Sequence, residues 1–144
     1  MSPDEQQWTW TTKGAIVSDL NAAHSLIDEV VGRVRSNQWN SKDVFALELT
    51  LEEAFVNAVT HGNHSDKSKH VRYECKLSPN RFCFTVEDEG SGFDPDVIAD
   101  PTCVSGLAVP SGRGVHLIRG FSTRADWNEK GNVLTVEIDR KDIK

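Results

Sequence analysis

The stretch 71-VRYECKLSPNRFCFTVEDEGSGF-93 holds two strand patterns and an abrupt stop. Val71, Tyr73, Cys75 and Leu77 alternate with charged residues, and after the turn Ser78-Pro79-Asn80 the residues Phe82, Phe84 and Val86 resume the same period of two. Such alternation makes one apolar and one polar face, so 71–78 and 81–87 are expected to form an antiparallel hairpin that covers a core on one side. In that register Cys75 points to the core and Cys83 away from it, which argues against a bridge between them. The pattern ends at Asp88-Glu89-Gly90-Ser91-Gly92, where packing side chains give way to acids and glycines. A flat ring could rest on such a loop with Asp88 accepting a hydrogen bond from an exocyclic amine; an ordinary turn after a strand is the alternative.

Working outward, 7-QWTWTT-12 alternates bulky and small polar side chains and is expected to be an edge strand. From Ser18 the apolar positions Leu20, Ala23, Ile27, Val30, Val31 and Val34 follow helical spacing, with Ser18 or Asp19 as the cap. A second helix begins near Ser41-Lys42-Asp43 and carries Val44, Leu47, Leu51, Ala54, Phe55 and Ala58 on one face, ending by Gly62. The segment 63–70 is a polar connector. The segment 94–111 contains three prolines and no sustained period, which predicts a long functional loop. A short helix follows Gly112-Arg113-Gly114, and 123–127 and 133–138 flank a turn as a second hairpin. Helices segregated from mainly antiparallel hairpins predict an α+β two-layer sandwich, a mixed and mainly antiparallel sheet with helices on one face.

Composition narrows the function classes. The 144 residues suit one domain, and no apolar run approaches the roughly 18 to 20 residues that cross a bilayer. The acidic start MSPDEQQWTW is no secretory signal, and three cysteines without a CxxC pair suit reduced thiols, so a cytoplasmic protein is expected. A net charge of −6 argues against general nucleic-acid binding. Any anion must be held locally.

Three segments could do this. Glu53, Asn57 and His61 are spaced four apart, stacking a carboxylate, an amide and an imidazole on one helical face; a solvated face is the plainer reading. Asp88 and its glycines are the second. In 111-SGRGVHLIRGF-121, glycines at the start of a helix offer backbone N–H groups to a phosphate, and Arg113 adds a charged donor.

Taken together, Glu53-x-x-x-Asn57, 88-DEGSGF-93, 112-GRGVHLIRGF-121 and 131-GNVLTVEI-138 resemble the asparagine box, the two glycine boxes and the closing strand of the Bergerat-fold (GHKL) ATPases. The resemblance runs from about Ser18 to Ile138 and is closest to the small bacterial anti-sigma-factor serine/threonine kinases. It implies ATP and Mg2+ as ligands, with Glu53 as general base, Asn57 as magnesium ligand and Asp88 as reader of the adenine amino group. Gly90 and Gly92 would let the base approach, and Thr135 would place a hydroxyl near it. Gly112 and Gly114 would lie on the phosphate side of a lid covering about 94–114. His61, Phe93, Arg113 and Val115 complete the implied nucleotide-binding set. The implied partners are an anti-sigma-factor antagonist, phosphorylated on serine or threonine, and a sigma factor, with a homodimer through the strand at 7–12. A nucleotide-dependent module that sequesters a sigma factor without catalysis is the alternative. The better-known kinases of this kind carry an arginine two residues before the first lid glycine, where this sequence has Pro110.

Overall fold

The computed structural model describes residues 8–92 and 112–141, with side chains from 114 onward in the second stretch. Five strands form one sheet, β1 (Trp10–Val17), β2 (His70–Leu77), β3 (Arg81–Glu87), β4 (Arg124–Trp127) and β5 (Val133–Asp139), in the order β1-β2-β3-β5-β4. All four pairings are antiparallel, so among the described residues no strand pair is mixed. The β2–β3 hairpin pairs Leu77 with Phe82, Cys75 with Phe84 and Tyr73 with Val86. Cys75 is buried in the core, whereas Cys83 on the outer face is only half-buried.

The helices α1 (Leu20–Ser36), α2 (Ser41–Val56) and α3 (Gly112–Phe121) cover one face. Asp19 caps α1, its carboxylate accepting from Asn21 N at 3.2 Å, and Asn40 caps α2 by accepting from Asp43 N at 2.7 Å. The inner positions of α1 and α2 pack with Phe82, Phe84, Val136 and Ile138 of the sheet into one apolar cluster. Each large side chain buried this way contributes roughly 1.5–3 kcal/mol. A two-layer arrangement results because each layer has one apolar face.

Two boundaries differ from expectation. The first strand starts at Trp10 and continues to Val17, because β1 pairs with β2 from Trp10–Leu77 to Val17–His70 despite its loss of apolar alternation at Lys13 and Gly14. Gly14 faces Tyr73, whose ring lies where a side chain would stand, with Tyr73 Oη 3.0 Å from an added Cβ. Gly112, Arg113 and Gly114 do not precede the third helix but form its first turn. The rest of the expected lid, including Pro110, lies outside the described residues. Among those described, no helix is long and apolar enough to cross a membrane.

Candidate functional site

A cavity of about 220 Å³ opens between α2, α3 and the end of the sheet. Its apolar walls are Ala54 and Ala58 from the helical side, Val86 and Leu134 from neighbouring strands, and Ile118 and Trp127. Alanines at 54 and 58 keep the slot open where larger side chains would fill it. Arg119 stacks over the Trp127 ring at 5.3 Å, tying the helix α3 to this wall. Its polar rim includes Asn57, His61, Gly62, Asp88, Gly92 and Asn132.

Asp88 stands where β3 ends. Its Oδ1 accepts from Gly90 N at 2.8 Å, and its Oδ2 accepts no hydrogen bond from the described residues. Burial pushes its carboxyl above the usual aspartate value, opposed by the Gly90 hydrogen bond. The adjoining glycines are needed by protein contacts. An added Cβ would stand 2.4 Å from Asp88 Cγ at Gly62, 2.2 Å from the Gly62 carbonyl oxygen at Gly90, and 1.8 Å from the Lys130 carbonyl oxygen at Gly92. Gly92 also has φ +85°, which favours glycine. The loop is therefore wedged between the end of the second helical segment and the β4–β5 turn, and close backbone approach there is first of all approach to protein.

Past α2 the chain widens into a π-helical turn, Asn57–Gly62. Such turns place side chains where a regular helix could not. Asn57 and His61 both line the cavity; Glu53, on the last turn of α2, does not line it and stands instead beside Gly114 of α3. An added Cβ at Gly114 would come within 2.8 Å of Glu53 Oε2 and 3.3 Å of Asn57 Nδ2, so glycine there lets the first turn of α3 rest on both residues. Burial, reinforced by neighbouring His64, pulls His61 below the ordinary histidine value.

The structure thus gathers Glu53, Asn57, His61, Asp88, Gly90, Gly92 and Gly114 at one end of the sheet. Thr135 is not among them. It lies on the outer face of β5, its hydroxyl 3.4 Å from that of Thr85, because the core parity of this strand belongs to Leu134 and Val136. Leu134 is the β5 residue that reaches the cavity. Val115 is wholly buried and does not line it; Ile118 does. Gly112 is placed only as backbone of α3, and Phe93 and the Arg113 side chain lie outside the described residues.

Sequence reasoning placed Trp127 only within the strand expected at 123–127 and Asn63 only within a polar connector, and singled out neither. Asn63 is fully buried. The run His61-Gly62-Asn63 was the available signal: a glycine closing a helix beside an amide that could serve the backbone.

The family model of the histidine kinase-like ATPase domain matches residues 16–138. The chain belongs to this family. Every cavity residue named above falls within the matched span of the ATPase domain. No individual curated protein matches the sequence. Family membership supports ATP binding, and the cavity fits the base: an apolar slot for a ring, with one carboxylate oxygen that has no partner among the described residues and could accept from an exocyclic amine.

Proposed function

We propose that this domain binds Mg-ATP in the cavity and transfers the terminal phosphoryl group to a serine or threonine hydroxyl of an anti-sigma-factor antagonist, while its grip on a sigma factor depends on that exchange. The observation that carries the reading is that Asp88 and Asn57 line one cavity, while Gly114 in the first turn of α3 rests on Asn57 and Glu53. Asp88 Oδ2 accepts from the adenine amino group, and Trp127, Ile118 and Leu134 exclude water from the ring. Asn57 would supply one oxygen to Mg2+, which in phosphate sites takes few protein ligands beside phosphate and water. The metal neutralises phosphate charge when bound. The N-terminus of α3 directs its dipole toward the phosphates, brought close by Gly114. Glu53 accepts the proton of the attacking hydroxyl as the new oxygen–phosphorus bond forms and the bond to the bridging oxygen of ADP breaks. The edge strand β1 is the surface for a homodimer. The reading is of a cytoplasmic regulator without nucleic-acid or membrane contact.

Calorimetric titration with Mg-ATP, beside Asp88→Asn, tests the site. Asparagine would keep its oxygen on Gly90 N and turn its NH2 toward the cavity, setting donor against donor. Loss of binding in the variant supports the site; no binding by folded native protein sinks it. Labelled phosphate appearing on an antagonist, and vanishing with Glu53→Gln, supports transfer. Binding without transfer to a genuine partner would leave a nucleotide-dependent module that sequesters a sigma factor.

A further inference from the structure

The geometry points to Asn63 and Asn132 as a pair of positioning residues that clamp the peptide unit following Asp88 and so aim its carboxylate at the base. The inference rests on the nucleotide reading above. The peptide between Asp88 and Glu89 is gripped on both edges: its carbonyl oxygen accepts from Asn132 Nδ2 at 3.0 Å, and its N–H donates to Asn63 Oδ1 at 2.7 Å. The preceding N–H, of Asp88 itself, donates to the Asn132 carbonyl at 3.0 Å. A peptide plane held at both poles fixes the backbone torsion of Asp88 on that side, and with it the direction in which a short side chain can point.

Asn63 is anchored in turn. Its Nδ2 donates to Ser18 Oγ at 2.9 Å and to the His70 carbonyl at 3.0 Å, and Ser18 Oγ donates to the Lys69 carbonyl at 2.8 Å. The amide therefore uses both donors and its acceptor while 0% exposed, and a fully satisfied buried network of this kind specifies one local arrangement. Asn132 is oriented from the other side, its Oδ1 accepting from Asn128 Nδ2 at 2.9 Å. Asn128 Oδ1 meanwhile accepts from Gly131, Asn132 and Val133 N, bracing the turn. Gly62, next to Asn63, presents a bare Cα to the Asp88 carboxylate. The loop is thus held by the β4–β5 turn on one side and by the end of β1 and the start of β2 on the other. Asp88 can leave Oδ2 for a ligand because other groups carry the loop.

Base discrimination tests the clamp. Inosine triphosphate carries a carbonyl where ATP carries the amine, so native protein should prefer ATP by roughly tenfold or more, the range for a lost hydrogen bond to a charged group. Calorimetry with both nucleotides on Asn132→Ala and Asn63→Ala should show ATP affinity falling several-fold further than that for inosine triphosphate, so that the ratio narrows. Ser18→Ala, which removes an anchor of Asn63 Nδ2 but not the grip on the peptide, should lower the melting temperature with the ratio kept. If both nucleotides weaken together and the ratio stays native in the folded variants, the asparagines only support the fold and the inference fails while the site stands. Should Asn63→Ala not fold, the half-exposed Asn132→Ala decides alone. Native protein that binds ATP without preferring it would overturn the role of Asp88 and the inference with it.

Discussion

The two ends of β3 are built from similar residue types and do opposite things. At the end where β3 begins, the charged groups are paired within the protein, and among the described residues the buried Trp39 Nε1 is the polar atom left without a hydrogen bond. Ser78 Oγ accepts from Arg81 N at 3.0 Å, Arg81 Nε donates to Asp139 Oδ1 at 2.6 Å, and Arg140 packs over the Trp39 ring while donating to the Gln38 carbonyl at 2.8 Å. At the end where β3 stops, the side-chain amides of Asn63 and Asn132 grip the backbone around Asp88, and one Asp88 oxygen has no hydrogen-bond partner among the described residues, beside the cavity. An unpartnered carboxylate partly withdrawn from water costs stability, and such costs gather where a ligand is to be recognised. The difference separates a structural corner from a site without reference to residue type.

The largest effect that should break this contrast comes from Gly92→Ala. Its Cβ would stand 1.8 Å from the Lys130 carbonyl oxygen at φ +85°, so the loop must move against the β4–β5 turn. Denaturant unfolding should show a loss of about 1–3 kcal/mol or more, and calorimetry no ATP binding. Gly62→Ala should act more narrowly: a Cβ 2.4 Å from Asp88 Cγ displaces the carboxylate, and ATP affinity should fall by roughly tenfold or more while the circular dichroism spectrum stays native. Arg81→Ala probes the other end. It should cost about 0.5–1 kcal/mol of stability, as expected for a largely solvated ion pair, and leave ATP affinity unchanged. A change in nucleotide affinity there would mean that the two ends are coupled.

The smallest effect sharpens the contrast through pH. The carboxyl of Asp88 is raised above 3.8 by burial, so the folded protein binds this proton more tightly than the unfolded chain. Its contribution to stability therefore falls as pH rises from 3.8 through the folded value, and near neutrality the charged form is a net cost. Asp88→Asn should raise the melting temperature slightly at pH 7, and the gain should vanish below the unfolded value. Equal gains at both pH values would show that charge is not the cause.

Much of this was legible in the residue pattern. The period of two in 71–87 led to the β2–β3 hairpin and placed Cys75 inside and Cys83 outside, as observed. The spacing of Glu53, Asn57 and His61 pointed to the end of the second helix, and the π-helical turn found there left no mark in that spacing. Thr135 shows the opposite case. The resemblance drew it toward the base, but strand parity set by Leu134 and Val136 turns it to the outer face. Asn63 was legible only as an amide beside a helix-closing glycine; its burial was not, since it becomes a hub only when Ser18, at the end of β1, is brought against it.

By itself, the sequence determined the elements, their buried faces, and the acid-and-glycine stop at the end of β3. These follow from short-range periodicity and from the conformational limits of single residues. Only the tertiary structure decided which polar groups would be satisfied: Asn63 by Ser18, His70 and Glu89; Arg81 by Asp139; Asp88 by half. Hydrogen-bond satisfaction in a buried place is settled by partners far apart in the chain, and that is the physical reason the residue pattern could not show which of these groups would be paired.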